Sequence, residues 1–264
     1  MPQSSRNALL ALVAGLLALA ACSGEPTPTG ETTAAAVPAK DRAPLGLMTS
    51  LPLYWPEGAG IAAIASGSAA LPWQRTAIEQ AYVVQPLDTL SLIAAVSPDA
   101  AEIDPLAGLD RLAVIQPRGL SPADNVALDR WVRGGGRLLL ALDPALTGHY
   151  DSPLGDPRRP VDNAAIPPVV ARWGLTISFD DAQEPGVLTA SLGSAALPMA
   201  LSGRVSVTAA PDAKCTLAAG GAAAICKVGK GRVTLIADAA VFEHQEFAGD
   251  AGSALRALLA EAVE

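Results

Sequence analysis

The sequence predicts an α/β fold: a mostly parallel sheet with helices on both faces and some antiparallel strands toward the C-terminus. Three observations predict it. Short apolar runs alternate with segments of helical periodicity from about residue 45 to residue 263. The central runs are apolar at every position, as strands covered on both faces are. Glycine, proline and helix-capping residues mark the boundaries between runs.

Leu45–Ser50 is the first expected strand. It is followed by Leu51-Pro52-Leu53-Tyr54-Trp55-Pro56, the densest aromatic and proline cluster in a chain that is only 4% aromatic. The cluster reads as a lid packed over the sheet edge, with an exposed partner-binding patch as the alternative. Pro72–Ala81 reads as a helix and Tyr82–Pro86 as a second strand.

The clearest unit is a βαβ crossover. Leu112–Pro117 is a strand, Ser121 caps a helix that runs through Trp131-Val132-Arg133, Gly134-Gly135-Gly136 turns the chain, and Leu138–Pro144 is the next strand. The boundaries have physical causes. A Ser side chain accepts from orphan N–H groups at a helix start, Pro122 suits the first helical position, Asp124 suits the positive end of the helix dipole, and Gly134 is expected to supply a left-handed C-cap. Val126, Leu128, Trp131 and Val132 form the expected apolar stripe.

Downstream, Ile166–Trp173 reads as a helix, and Leu175–Phe179 and Gly203–Thr208 as strands. Lys214–Leu217 and Ala223–Val228 form a hairpin around Ala-Ala-Gly-Gly, Arg232–Asp238 is a buried strand, and Gly252–Val263 is a closing amphipathic helix.

The whole chain has 264 residues, with 18 Lys and Arg against 26 Asp and Glu, a formal charge of −8. Half the residues are hydrophobic, and mean hydropathy is +0.33. This excludes a disordered protein and a small disulfide scaffold, and an acidic chain without a basic run argues against a nucleic-acid partner.

Much of the apolar excess lies at the start. Arg6 precedes an apolar run from Ala8 to Ala21, too short for a permanent membrane span and laid out like an export signal. Its end, Leu19-Ala20-Ala21-Cys22, resembles the bacterial lipobox. Residues 1–21 are therefore expected to be a lipoprotein signal peptide, residues 22–43 a lipidated Cys22 with a flexible Pro, Thr, Gly and Ala tether, and residues 44–264 a single α/β domain. The expected location is the cell envelope, lipid-anchored and facing the periplasm, with Ser23 favouring the outer membrane over the inner.

Cys215 and Cys226 flank the expected hairpin and, in an oxidising compartment, are expected to form a disulfide. Two cysteines at this spacing, far in sequence from either histidine, do not make a zinc site, so no metal is expected. No cofactor is expected either. No nucleophile elbow of the form G-x-S-x-G or its Cys analogue is found, and Gly134-Gly135-Gly136 follows a helix and precedes a strand, the reverse of a phosphate-binding loop. On these grounds no enzyme is expected.

One constellation carries a possible ligand edge. Asp143 and Asp238 each end a long apolar strand, and ligands of open parallel sheets gather at strand carboxyl ends. His149, Tyr150 and Asp151 follow the first strand; Glu243, His244 and Glu246 follow the second. These residues are candidates for binding a cation or polar ligand, although Asp-Pro turns and loop capping explain the same residues structurally.

Taken together, Leu112–Pro117, Leu128–Pro144, Gly46–Leu53 and Gly231–Asp238 resemble the GldG-like auxiliary components of uncharacterised ABC-type transport systems. The resemblance implies a flavodoxin-like domain related to the class I glutamine amidotransferase fold, without that fold's nucleophile. It also implies partnership with an ABC permease and ATPase. The chain departs from those proteins in having a lipobox and in lacking the C-terminal membrane helix that many of them carry. The function expected is a non-catalytic binding or scaffolding accessory of an ABC-type transport or envelope system. The alternatives are a periplasmic ligand- or metal-binding module using the acidic edge, and a degenerate or unusual hydrolase.

Overall fold

The computed structural model describes residues 41–264 apart from Val96 and Pro98. The expected export signal, Cys22 and the tether through Lys40 lie outside the described residues. The first half contains β1 (Ala43–Thr49), α1 (Ile61–Ala65), α2 (Trp73–Ile78), β2 (Tyr82–Pro86), β3 (Arg111–Ile115), α3 (Pro122–Gly134) and β4 (Arg137–Ala141). Then come α4 (Pro168–Arg172), β5 (Leu175–Ser178), β6 (Val187–Leu192), β7 (Ala195–Ala200) and β8 (Arg204–Val207). The chain closes with β9 (Ala213–Ala218), β10 (Ala223–Val228), β11 (Gly231–Ile236), α5 (Ala240–Glu243) and α6 (Ser253–Val263).

Seven strands form one sheet in the order β2-β1-β3-β4-β11-β10-β9. The first five are mutually parallel, and β10 and β9 continue the sheet antiparallel. Period-two alternation sends neighbouring residues to opposite faces. Leu45, Leu47, Ala113, Ile115, Leu139, Ala141 and Ile236 face α2 and α6, whereas Leu112, Val114, Leu138, Leu140, Val233 and Leu235 face α3 and α4. Burial on both faces is what made these runs apolar throughout. Each of the Leu, Ile and Val side chains contributes roughly 1.5–3 kcal/mol relative to exposure.

The α3 boundaries are set by local chemistry. Ser121 Oγ accepts from the Asp124 N–H at 3.0 Å, and the Asp124 carboxylate accepts from the Ser121 N–H at 3.1 Å, a reciprocal capping box. The helix continues through Gly134, and the positive-φ cap is Gly135, at φ 129°, one residue later than expected. The third glycine of the run, Gly136, lies against Trp131, where an added Cβ would come within 2.4 Å of the indole. Val126 also departs from expectation. It is 58% exposed because it sits about 200° around the helix from Leu128, off the buried stripe of Leu128 and Val132.

The later strands divide in a way the sequence reading did not foresee. β9 and β10 are the expected antiparallel members of the main sheet, but β5 and β8 pair only with each other. β6 and β7 form a further hairpin that was missed. Most of β6 is exposed and β7 contains Pro198, so neither reads as a buried strand, yet Leu197 and Met199 of β7 pack beneath α6. Gly193-Ser194 is the two-residue turn of that hairpin, with Gly193 at φ 57°.

Cys215 and Cys226 face each other in the β9–β10 register and are joined by a disulfide. The Leu51–Pro56 cluster covers the sheet edge: Leu51 and Leu53 are buried, the Tyr54 hydroxyl donates to the Leu47 carbonyl, and Arg75 stacks 5.1 Å from the Trp55 ring centroid. No helix among the described residues is long and apolar enough to cross a membrane.

Candidate functional site at the carboxyl edge of the sheet

The parallel strands β1, β3, β4 and β11 run out toward Ser50, Gln116, Asp143 and Asp238. These four polar residues are buried beneath the loops that follow them. Gln116 ties three strand ends together. Its backbone sits at φ 44°, uncommon for a non-glycine residue. Its carbonyl accepts from the Ser50 N–H at 3.1 Å and the Ser50 hydroxyl at 2.6 Å. Its side-chain amide bonds both the N–H and the carbonyl of Asp143 and reaches the Val161 carbonyl at 2.9 Å.

The two aspartates point inward. Asp143 accepts from the N–H groups of Ala145 and Ala239, both at 2.8 Å. Asp238 accepts from Ala240 at 2.8 Å and Ala200 at 2.9 Å. Each carboxylate oxygen thus holds a different backbone N–H: the loop after β4, the end of β7, and two at the start of α5. Burial pushes Asp143 up to about 7, opposed by its backbone hydrogen bonds and reinforced by the charge of Glu243. Burial, with the charge of Asp143 next, pushes Asp238 up to about 8.

Glu243 closes the arrangement from α5. It accepts from Gly148 N–H at 2.9 Å, Thr147 N–H at 3.1 Å and the Tyr150 hydroxyl at 2.6 Å. Burial, and then the Glu243 charge, raise the Tyr150 phenol far above its ordinary range. His244 Nε2 shares a hydrogen bond with Thr147 Oγ1 at 2.9 Å, and Glu246 lies 3.8 Å from His244 Nδ1. The loops after β4 and β11 therefore do converge, and they bring Asp143, Asp238, Glu243 and His244 into one network.

That network is not an open acidic edge. Asp143 and Asp238 are 0% and 1% exposed, and their oxygens accept from backbone N–H groups. His149 is outside the network: its side chain is 94% exposed and approaches only Asp151, at 3.4 Å. No group of three His, Cys, Asp or Glu side chains among the described residues is placed to hold a metal ion.

Sequence reasoning missed Ser50, Gln116 and Glu57, which accepts from the Asp151 and Ser152 N–H groups at 3.1 and 2.7 Å. A polar Gln ending the apolar run 112–115, just before a proline, was the available signal for Gln116. Glu57 gave none. A cavity of about 590 Å³ lies elsewhere, between α3 and α4, beside Asp129, Arg130 and Arg172.

A family model described as ABC-type uncharacterized transport system matches residues 60–196, just over half of the chain. No curated protein matches the sequence. Among solved structures, the chain is similar to the cold-adapted beta-galactosidase from Rahnella sp. R3, at 15% identity and a TM-score of 0.44, over 84% of this chain and 31% of that one. It is also similar to the exo-beta-1,4-mannosidase Op5Man5 from Opitutaceae bacterium strain TAV5, at 14% identity and a TM-score of 0.47, over 84% and 36%. A beta-galactosidase from Bacillus circulans sp. alkalophilus matches at 13% identity and a TM-score of 0.42, over 83% and 31%.

The chain spans about a third of the length of these enzymes. These solved structures are glycoside hydrolases, so the expectation that the chain is no enzyme finds no support among them. The likeness is one of distant fold, and it carries no substrate or reaction over to this chain.

Proposed function

Since the chain belongs to the ABC-type uncharacterized transport system family, in its auxiliary component, we propose that it is an envelope lipoprotein serving such a transporter. In this reading Cys22 carries the lipid, residues 22–43 are the tether, and the α/β domain faces the periplasm and binds the permease or ATPase assembly. Outer-membrane anchoring is preferred to inner.

The family match over residues 60–196 is the observation that carries the reading. The GldG-like kinship and the flavodoxin-like, amidotransferase-related fold have further support. The order β2-β1-β3-β4-β11 follows the flavodoxin-like 2-1-3-4-5 pattern. The alternative of a cation or ligand site on Asp143 and Asp238 loses support, because those carboxylates are buried and bonded to backbone.

The test is affinity purification of the tagged full-length protein from envelope membranes of its own bacterium. Recovery of an ABC permease or ATPase with it is expected; repeated recovery without either would overturn the reading. The anchor is tested separately. Mass spectrometry should find a diacylglyceryl group on Cys22, and Cys22→Ala should move the protein from the membrane fraction to the soluble one.

A further inference from the structure

Arg111, Arg137, Arg232, Lys227 and Lys214 occupy one register row across five adjacent strands, β3, β4, β11, β10 and β9. Residues paired in register point to the same face, so five cations lie side by side on the face that α6 covers farther along the strands. At a strand spacing of about 4.8 Å the row is roughly 19 Å long. Like charges placed opposite one another across strands repel. The arrangement is unexpected in an acidic chain. Beyond residue 40 the sequence contains three lysines: Lys214 and Lys227 are in the row, and Lys230 lies in the cavity beside it.

The counter-charge near the row comes from the end of α6, where Glu261 and Glu264 line a neighbouring cavity with Arg232. Glu261 of α6 lies 3.6 Å from Arg232 Nη2, and the same carboxylate also accepts from the Ser194 N–H and hydroxyl. Asp212, near in sequence, is turned to Arg133 at 3.5 Å. Among the described residues, Arg111, Arg137, Lys214, Lys227 and Lys230 form no ion pair. The Nε atoms of Arg111 and Arg232 are buried with no hydrogen-bond partner, which costs free energy unless something else accepts from them.

Between β10, β11 and the Gly135 turn this row forms a cavity of about 360 Å³. Arg137, Lys227, Lys230 and Arg232 line it together with Ile225 and Cys226, and no acidic side chain does. Guanidinium groups bond tetrahedral anions through two N–H groups at once, and the lysine ammonium groups add mobile point charges, the combination used to hold phosphate. Ile225 provides an apolar wall beside the charges.

We propose that this cavity binds a phosphate-bearing anion, held by Arg137, Lys227, Lys230 and Arg232, at the edge of the sheet opposite the Asp143 and Asp238 network. The phosphate belongs either to a soluble phosphate ester or to a phospholipid headgroup. The site stands independently of the transporter reading, since it rests on strand register and charge alone.

The full-length protein is titrated calorimetrically with inorganic pyrophosphate, and in parallel mixed with phosphatidylcholine vesicles with and without phosphatidylglycerol. Binding to at least one anionic probe is expected, weakening steeply as salt rises. Lys227→Gln and Arg137→Gln should each weaken it about fivefold or more, as loss of one charge-assisted contact does. Arg158→Gln, at a remote exposed site, should leave it unchanged. Lys227 is exposed, so its substitution leaves the fold intact even if Arg137→Gln does not. Pyrophosphate binding identifies a soluble ester as the ligand source, and binding only to phosphatidylglycerol vesicles identifies the headgroup. Failure of both probes, or parental binding by Lys227→Gln, would overturn the proposal.

Discussion

Gln116 and Asp143 are joined at both ends of one amide: Gln116 Oε1 accepts from the Asp143 N–H at 2.8 Å, and Gln116 Nε2 donates to the Asp143 carbonyl at 3.0 Å. The pair links the ends of β3 and β4 beyond the last rung of their ladder, in a place closed to water. Removing the amide strands the buried Asp143 N–H and leaves the half-buried Val161 carbonyl without this donor, while the Asp143 carbonyl keeps the Ala164 N–H at 2.8 Å. Gln116→Ala is therefore expected to destabilise the domain by about 1–3 kcal/mol, chiefly the cost of one unsatisfied buried N–H. Gln116→Gly separates the amide from the backbone. It loses the same side-chain bonds but relieves the positive φ, so it should be milder than Gln116→Ala by the strain relieved. Urea denaturation of the two variants beside the parent decides this, and a parent-like midpoint for Gln116→Ala would remove the clasp from the account.

The raised carboxylates beneath this clasp make stability depend on pH in a defined direction. Asp143 at about 7 and Asp238 at about 8 bind protons in the folded state that an unfolded aspartate has already lost. Between about pH 4 and pH 8 the folded state therefore carries more protons, and stability falls as pH rises. At about 1.4 kcal/mol per proton per pH unit, the domain is expected to be more stable at pH 5.5 than at pH 8.5 by several kcal/mol. Denaturation midpoints across that range are the measurement. Asp238→Asn should flatten the slope, and a curve flat or rising with pH in the parent would show that the backbone donors, not burial, dominate these groups.

The parts of this fold legible in sequence were those set by local rules. The βαβ unit from Arg111 to Ala141 could be read because an all-apolar strand, a Ser-Pro helix start and a glycine stop each have short-range causes. The Cys215–Cys226 bridge could be read because the hairpin turn fixes which residues face each other. What escaped depends on pairing across long stretches of chain. β6 and β7 are strands because of one another and because α6 covers Leu197, none of which a six-residue window contains. At the carboxyl edge the residue types were found but not their orientation. Asp143 and Asp238 were placed correctly at strand ends, yet whether a carboxylate faces solvent or the N–H of Ala239 or Ala200 depends on loops that return from elsewhere. The basic row could not be read at all, because Arg111 and Lys214 are about a hundred residues apart and become comparable only through the register of five strands.

Asp124 shows the same limit in one residue and supplies a prediction with the opposite pH sign. The sequence places it in the first turn of α3, where any acid helps through the helix dipole. In the structure one carboxylate oxygen completes the capping box with Ser121, and the other accepts from Thr89 Oγ1 at 2.7 Å, Leu90 N–H at 2.8 Å and Ser91 N–H at 3.0 Å. The carboxylate therefore caps a helix and pins the loop after β2 at once. Burial resists its charge, but the hydrogen bonds from Ser121, Thr89 and Leu90 prevail and hold it far below the usual carboxylate range. A lowered folded-state value gives stability that is present above about pH 4 and lost as pH falls through the acid range. Asp124→Ala should cost about 2–3 kcal/mol at neutral pH, more than the roughly 1 kcal/mol of an ordinary cap, because the loop amides lose their acceptor too. It should also blunt the acid side of the stability profile while leaving the fall between pH 5.5 and 8.5 intact. Hydrogen exchange gives the residue-level check: the Leu90 and Ser91 amides should lose protection in Asp124→Ala, and unchanged protection there would confine Asp124 to the helix cap.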